Sequence, residues 1–376
     1  MDLPHADIDP DGLLEYSVVF TDRSLNHMSA RFVSVMEDTL AILRSTYNAH
    51  TAALVPGGGS YGMEAVARQF AGGKRCLIVR NGQFSYRWSQ ILDIGQIPAE
   101  HEVLKARPAG GDSDKGFAPA PIDEVVEAIR RQRSELVFAP HVETASGILL
   151  TADYLRQLAA AVHEAGGLFV LDCVASGPLW VDMEDIGVDI LLSAPQKGWS
   201  GSPCAGYIML SERARTAIED TTSSSFALDL KKWLTISEGY AAGKHGYHAT
   251  MPTDSIAHNL TLMQEAVDTG LPLLRERQIE LGTAVRRLLT EHGYTSVAAE
   301  GWQSPTVVVV QTRRPAAEVV AGFAAAGVQV AAGVPLMVDE PEGFQTFRIG
   351  LFGLDKWADV DGAVARLAAA LERVDS

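Results

Sequence analysis

Between residues 52 and 210, short apolar runs alternate with segments of helical periodicity. The runs occupy residues 76–79, 136–139, 168–171, 190–193 and 207–210. A strand–helix–strand order predicts a mostly parallel sheet covered by helices, because parallel neighbours need a crossover connection. The runs at 168–171 and 190–193 are continuously apolar, which is typical of strands buried on both faces. The alternation therefore predicts an α/β fold.

One of the connecting segments, residues 151–167, carries the signals of a complete helix. Thr151 is a predicted N-cap, and Gly166 is a residue that can adopt the left-handed conformation that ends a helix. Leu155, Leu158 and Val162 share one face at helical spacing. We therefore expect an amphipathic helix between the strands at 136–139 and 168–171.

From residue 256 onward the pattern changes. Two long helical stretches, 256–270 and 274–293, precede a strand at 306–312, a helix at 316–327, a strand at 347–350 and a final helix that ends near 374. A chain of 376 residues exceeds what one small core needs. We predict a large α/β domain over 17–255, a smaller α+β domain over 256–376, and an N-terminal arm over 1–16.

The net charge and the cysteines of the chain limit the classes of molecule that it can bind and the cellular compartment in which it is expected. A formal net charge of −16 would repel nucleic acid and anionic membranes, and no apolar run approaches the roughly 20 residues of a membrane span. The first residues lack the apolar region of a signal peptide. Cys76, Cys173 and Cys204 are isolated, so we predict buried structural thiols, no metal site and a reducing cytoplasm.

The segment SAPQKGW, residues 193–199, places Lys197 just after a predicted strand, at the edge where open α/β sheets bind ligands. Taken alone, Lys197 is better explained as a solvated loop lysine. Asp172 lies 25 positions earlier, at the end of the strand LFVLD. Burial of such a carboxylate requires a partner, and the pyridinium nitrogen of pyridoxal 5′-phosphate (PLP) is one; a helix cap or turn is the alternative.

A glycine-rich segment, PGGGSYGMEAVARQF at residues 56–70, precedes a predicted helix with an apolar stripe. Main-chain N–H groups around Gly58, Gly59 and Ser60 can face a phosphate, helped by the positive end of the helix dipole. No G-K-[ST] follows the glycines, so the segment is not a P-loop. A glycine turn needed only for steric reasons is the alternative.

Seven segments together resemble a known family. They are GGGSYGMEA, RNGQFSYRW, HVETASG, VLDCVAS, LLSAPQKG, YHATMP and FRIGLFG. Their order and spacing, from about residue 45 to the C-terminus, resemble fold-type I PLP enzymes, and more narrowly the alanine–glyoxylate/serine–pyruvate branch of the class V aminotransferases. The resemblance implies a large domain with a mostly parallel, seven-stranded sheet, PLP as cofactor, and a homodimer.

The resemblance also implies roles for single residues. Lys197 would form the Schiff base with PLP, and Asp172 would pair with the ring nitrogen. Phe84 would lie on the face of the cofactor ring, although an ordinary core phenylalanine is the alternative. Thr144 would contact the cofactor near its O3′ atom. Gln196 would donate to the phosphate, together with the main chain at Gly58, Gly59 and Ser60.

Two further segments would complete the site. Tyr247 and Thr250, in YHATMP, match residues that reach the phosphate of the partner subunit's cofactor; a loop ended by Pro252 is the alternative. Arg348 alternates with Phe347 and Ile349 along a predicted strand and so faces the opposite side. The resemblance implies that Arg348 binds the substrate's α-carboxylate, a task that suits a bidentate guanidinium, and a structural salt bridge is the alternative.

The implied activity is transfer of an amino group from a small amino acid, such as alanine or serine, to a 2-oxo acid such as glyoxylate or pyruvate. The family's usual P-G-P entrance segment is replaced here by EYSVVFTDRSLNHMSARF, and SAPQK replaces S-G-S-Q-K. Because of these departures, the sequence does not determine which substrate the enzyme uses. The alternatives are a 2-aminoethylphosphonate transaminase, a PLP-dependent lyase or desulfurase, and a PLP-binding regulator that is not an enzyme.

Overall fold

The computed structural model describes residues 6–376. Twelve strands within this range build one large sheet, one small sheet and a hairpin. They are β1 Thr51–Pro56, β2 Arg75–Arg80, β3 Glu100–Lys105, β4 Arg107–Pro108, β5 Phe117–Ala118, β6 Leu136–Pro140, β7 Leu168–Asp172, β8 Ile190–Ser193, β9 Ala205–Leu210, β10 Val307–Gln311, β11 Ala331–Ala332 and β12 Thr346–Gly350. All five strands predicted between residues 52 and 210 are present, each with bounds equal to or slightly wider than expected.

Thirteen α-helices lie in the same range. They are α1 Ala30–Tyr47, α2 Gly59–Phe70, α3 Gln83–Gly95, α4 Ile122–Gln132, α5 Ala152–Glu164, α6 Met183–Ile186, α7 Glu212–Ala217, α8 Leu230–Ala241, α9 Thr253–Thr269, α10 Leu271–Glu291, α11 Ala316–Ala325, α12 Leu354–Ala358 and α13 Val360–Asp375. Short 3-10 turns occupy Ala109–Gly111, Ser113–Lys115 and Ile218–Asp220. No helix of residues 6–376 is both long and apolar enough to cross a membrane.

The large sheet has seven strands in the order β1-β9-β8-β7-β6-β2-β3. Every neighbouring pair is parallel except those that β9 makes with β1 and β8. The predicted mostly parallel, seven-stranded sheet is confirmed. Strands β1, β6, β7 and β8 all end at the same edge, so the loops that follow them meet there.

Helix α5 shows why the local pattern was informative. The Thr151 hydroxyl accepts the N–H of Tyr154 at 3.3 Å, and Gly166 adopts a φ of +80° just beyond the helix. Leu155, Leu158 and Val162 are fully buried against the sheet. Short-range capping and one apolar face are therefore enough to define this element.

The C-terminal part forms a small antiparallel sheet in the order β10-β12-β11, packed against α10 and α11, and α13 packs on these two helices. Along β12, Phe347 and Ile349 are buried on one side and Arg348 faces the other, as the alternation predicted. The proposed boundary at residues 255/256 stays a prediction. Of the predicted arm, residues 6–16 form turns and coil, and residues 1–5 lie outside the described range.

The three cysteines behave as small apolar residues. Cys76, Cys173 and Cys204 are free thiols and are buried, as predicted. Burial raises the pKa of the Cys76 thiol to about 12 and that of Cys204 to about 11. These thiols are therefore protonated at neutral pH and poorly nucleophilic.

Candidate active site

A cavity of about 570 Å³ lies at the carboxyl edge of the large sheet, where β12 of the small sheet approaches it. Eight of the residues singled out in the sequence line it. They are Gly59, Ser60, Phe84, Thr144, Asp172, Gln196, Lys197 and Arg348. Residues separated by almost 290 positions in the chain therefore share one small volume.

Lys197 enters this cavity from the turn that follows β8. Its Nζ atom lies 4.8 Å from the centroid of the Phe352 ring, and no carboxylate of residues 6–376 pairs with it. Burial lowers the pKa of the Lys197 ammonium, and the positive charge of Arg348 lowers it further. Both effects favour a neutral amine, the form that acts as nucleophile and base.

Asp172 is the last residue of β7 and is 8% exposed. Its Oδ1 atom accepts the N–H of Val174 at 2.9 Å, a turn-type bond that agrees with the structural alternative for this residue. Burial raises the pKa of the Asp172 carboxyl to about 6, the Val174 N–H opposes this, and the charge of Glu143 adds to it. A buried carboxylate with no ion pair inside residues 6–376 fits a bound cation.

The first turn of α2 forms a cradle at the other side of the cavity. A Cβ atom at Gly59 would lie 2.9 Å from a methyl carbon of Val174, so only glycine allows this approach. The N–H groups of a first helical turn lack partners within the helix and attract anions. The Oε1 atom of Gln196 is buried without a hydrogen-bond partner in the described chain. The backbone donors fit a phosphate, whereas the unpaired Gln196 oxygen is an acceptor and does not itself indicate one.

Phe84 lies in the first turn of α3, and a residue that the sequence did not single out holds it in place. Glu143 is fully buried, and its carboxylate accepts the N–H groups of Phe84 at 3.1 Å, Ser85 at 2.9 Å and Ala145 at 2.9 Å. The Ser85 hydroxyl donates to it as well, at 2.6 Å. Thr144 lies between these contacts and faces the cavity. The sequence signal that could have identified Glu143 is the presence of a charged residue inside the otherwise apolar segment APHVETASG.

Arg348 faces the cavity from β12. Its Nε atom donates to the carbonyl of Ala332 at 3.0 Å, and its guanidinium carbon lies 5.7 Å from the centroid of Phe84. No carboxylate of the described chain forms an ion pair with it, which argues against the structural salt bridge considered for this arginine. Burial lowers the pKa of Arg348, while the charge of Glu143 acts in the opposite direction. The guanidinium is available to an anionic ligand.

Arg87, on the first turns of α3, is a second arginine of this cavity that the sequence reasoning passed over. Its Nη1 atom donates to Ser60 Oγ at 2.9 Å, and its guanidinium carbon lies 4.6 Å from the centroid of Phe84. The motif RNGQFSYRW contains it, three residues after Phe84. Helical spacing was therefore the signal that places both side chains on one face.

Three predicted site residues do not line the cavity of their own chain. Gly58 is the N-cap of α2, adjacent to the cradle. Tyr247 and Thr250 lie on the loop between α8 and α9, where the two hydroxyl oxygens are 3.3 Å apart and Tyr247 is 54% exposed. Within residues 6–376, no cluster of histidine, cysteine, aspartate and glutamate is suited to a metal ion.

Comparison with solved structures supports the fold assignment. The chain is similar to the alanine–glyoxylate aminotransferase of Nostoc sp., with a TM-score of 0.79 and 20% identity over 93% of this chain and 88% of the other. The fold-type I prediction is thereby confirmed.

Sequence comparison gives the family. The chain is 26% identical to the soluble hydrogenase small subunit of a Synechococcus strain over 92% of this chain and 87% of that protein. It is also 26% identical to 2-aminoethylphosphonate–pyruvate transaminase 2 of Paraburkholderia xenovorans, over 94% of this chain and 90% of the relative. The family described as aminotransferase class-V matches residues 13–353. This protein is therefore a member of the class V aminotransferase family, as the seven motifs indicated.

Proposed function

We propose that this enzyme is a PLP-dependent aminotransferase that moves the amino group of a small amino acid to a 2-oxo acid such as glyoxylate or pyruvate. One observation carries the proposal. A partly buried lysine, a buried carboxylate and a partly buried arginine, Lys197, Asp172 and Arg348, line the same cavity, and none of them is ion-paired within residues 6–376. Each has an unmet electrostatic requirement that cofactor and substrate would satisfy.

The cavity offers a complementary group for each end of PLP. Lys197 would bind the aldehyde carbon, and Asp172 would keep the ring nitrogen protonated, which lowers the cost of burying its own charge. Phe84 would cover the ring, with Thr144 near O3′. Gly59 and its neighbours in the cradle would hold the phosphate. PLP, when bound, supplies an electron-withdrawing ring that makes the Cα–H bond of an attached amino acid acidic.

The residues of this chain position the substrate and move the proton. Arg348 binds the α-carboxylate through two parallel hydrogen bonds and so fixes the orientation of the Cα–H bond. Lys197 Nζ accepts the Cα proton, because burial and the neighbouring guanidinium favour its neutral form. The amine then holds the proton until it returns to the substrate framework. Because the amino group is transferred in two half-reactions, ping-pong kinetics are expected.

The test is a donor screen on the yellow, PLP-loaded protein. Alanine, serine and other small amino acids are added singly, without an acceptor. The decrease in the absorption band of the lysine-bound cofactor is recorded for each. A true donor bleaches the colour and releases its oxo acid once, and glyoxylate or pyruvate then restores the colour. Lys197→Ala should abolish the response, whereas Lys232→Ala, an exposed control, should not. Normal transfer by Lys197→Ala would refute the proposal.

A second candidate is transfer from 2-aminoethylphosphonate, which the Paraburkholderia relative favours by its name. Arg348 can bind a phosphonate as well as a carboxylate, since both groups offer two oxygen atoms for bidentate hydrogen bonding to the guanidinium. The same screen separates the two candidates. Bleaching by 2-aminoethylphosphonate and not by alanine or serine would select the phosphonate reaction.

Desulfuration is disfavoured by the state of the thiols. A desulfurase needs a mobile nucleophilic cysteine, and Cys76, Cys173 and Cys204 are buried with raised pKa values. A lyase would release pyruvate and ammonia continuously without an oxo-acid acceptor. Measuring ammonia in the acceptor-free screen therefore tests this class, and none is expected.

We further propose a cytoplasmic homodimer. Three reduced cysteines agree with a reducing compartment. Tyr247 and Thr250 lie outside the cavity of their own chain, and the half-exposed Tyr247 ring is available to another subunit. In a two-fold dimer they would reach the partner's phosphate cradle, so that each active site contains residues of both chains.

A further inference from the structure

We propose that Arg87 supplies a second cation to the phosphate cradle and orients the hydroxyl of Ser60 toward the bound phosphate. The inference rests on the proposed PLP function, and it assigns a phosphate-binding role to a side chain on α3 that contacts the first turn of α2. It concerns affinity for the anion and not the chemistry at Lys197.

The first argument is geometric. Arg87 Nη1 donates a hydrogen bond of 2.9 Å to Ser60 Oγ, and Ser60 belongs to the first turn of α2. A hydroxyl has one hydrogen to donate and two lone pairs to accept with. Because one lone pair of Ser60 receives the guanidinium N–H, the hydroxyl hydrogen stays free to be donated to a ligand. A donor that itself accepts from a cation is also a stronger donor.

The second argument is electrostatic. The N-terminus of α2 carries a partial positive charge, and the Arg87 guanidinium adds a full charge beside it. No carboxylate of residues 6–376 forms an ion pair with Arg87, and the one carboxylate whose pKa its charge lowers is Asp172, which lines the same cavity. Two adjacent positive features repel each other unless an anion lies between them. A phosphate with two negative charges satisfies both, in a chain whose overall charge is −16.

Stacking on the Phe84 ring is an alternative explanation for the position of the Arg87 side chain, but it accounts for only one of its two contacts. The guanidinium carbon of Arg87 lies 4.6 Å from the ring centroid, so the side chain also supports the aromatic ring. Stacking requires only that the planar group cover the ring. It does not require an N–H to be aimed at Ser60, which belongs to a different helix. The hydrogen bond to the cradle therefore points to a role in anion binding.

The test compares PLP with pyridoxal, which has the same aldehyde and ring but no phosphate. Apoenzyme is titrated with each compound, and binding is followed by the absorption of the lysine-bound aldehyde and by tryptophan fluorescence. We expect Arg87→Met to raise the Kd of PLP at least tenfold and to leave the Kd of pyridoxal within about twofold. Arg287→Met, on an exposed face of α10, is the matched control and should change neither.

Additional variants separate direct charge from the orientation of Ser60. Arg87→Lys keeps a charge but loses the planar fork, so an intermediate Kd for PLP is expected. Ser60→Ala should weaken PLP binding, and its effect should shrink when Arg87 is already methionine, because the two residues act through one hydrogen bond. Arg87→Lys also decides the question if Arg87→Met does not fold.

Three outcomes would count against these assignments in distinguishable ways. Unchanged affinity of Arg87→Met for PLP would overturn the role of Arg87. An unchanged PLP Kd with a raised KM for donors that carry a second acidic group would overturn it as well and would assign Arg87 to the substrate. If the wild-type protein itself gives no Lys197-dependent absorption with PLP, the proposed function fails, independently of Arg87.

Discussion

The carboxylate of Glu143 accepts the main-chain N–H of Phe84 at 3.1 Å, across 59 positions of the chain. This bond joins the loop after β6 to the first turn of α3, and the aromatic ring faces the cavity from that turn. The carboxylate also receives the N–H groups of Ser85 and Ala145. The negative charge lies at the positive end of the α3 dipole, where it is stabilised by partial charges. Glu143 is therefore a positioning residue for Phe84.

Replacement of Glu143 by alanine should destabilise the protein. The change leaves three main-chain N–H groups without an acceptor, while the Ser85 hydroxyl keeps the Gly82 carbonyl at 3.0 Å, so a loss of about 3 kcal/mol or more in the free energy of unfolding is expected. Glu143→Gln keeps one acceptor oxygen and should lose less. Urea denaturation measures both, with Glu164→Gln on the surface of α5 as control. Equal stability of Glu143→Ala and the control would contradict the role assigned to this carboxylate.

Arg348→Lys should impair capture of the substrate's carboxylate. Lysine keeps the charge but cannot form two parallel hydrogen bonds, and a loss of about 3 kcal/mol corresponds to about a hundredfold fall in kcat/KM. Amino-acid donors should show this fall, and an amine without an acidic group should not. The control is Arg287→Lys. A similar fall for both kinds of donor would indicate that Arg348 supports the cavity and does not bind the carboxylate.

Asp172 should give the cofactor-free protein a specific dependence on pH. Its folded pKa is raised from 3.8 to about 6 by burial. Between about pH 4 and pH 6, the folded state holds a proton that the unfolded state has released. The contribution of this group to stability is therefore highest below pH 4, falls as pH rises through this window, and stays low above it.

The Asp172→Asn variant tests this dependence because its amide does not titrate. Without PLP, the variant should be more stable than the wild type at pH 7 by on the order of 1–3 kcal/mol, and the difference should narrow at pH 4.5. Urea denaturation at the two pH values measures it. With PLP the variant should lose most transfer activity, since the ring nitrogen loses its carboxylate partner. A constant difference at both pH values would argue against the shifted pKa.

Mixing two inactive variants should reveal whether Tyr247 acts on the partner subunit. One chain carries Lys197→Ala, and the other carries Tyr247→Ala with Thr250→Ala. In a dimer of one chain of each kind, the site with an intact Lys197 would receive an intact Tyr247 and Thr250 from its partner. Refolding an equal mixture should then recover about a quarter of the wild-type activity. If a mixture shown to contain mixed dimers recovers no activity, Tyr247 and Thr250 do not act on the active site of the partner subunit.

Much of the fold was predictable because its signals are local. The apolar runs that became β6, β7 and β8 are short and continuous, and a cap and a left-handed glycine frame α5. Two strands of the large sheet were missed. Strand β3, with the sequence EHEVLK, is a half-exposed edge strand without a distinctive apolar pattern, and β1, with TAALVP, lacks the β-branched density of its neighbours. Their pairing depends on the strands beside them, which a short window does not contain.

By itself, the sequence determined which residues end the strands, and therefore that Lys197 and Asp172 meet at one edge of the sheet, since parallel strands end together. The tertiary structure decided what surrounds them. Arg348 approaches from a separate sheet, about 150 positions beyond Lys197, and Glu143 and Arg87 acquire their roles only through contacts with distant segments. The physical reason is range: strand patterns and helix caps are set by neighbours in the chain, whereas burial, hydrogen-bond partners and uncompensated charge depend on packing between distant segments.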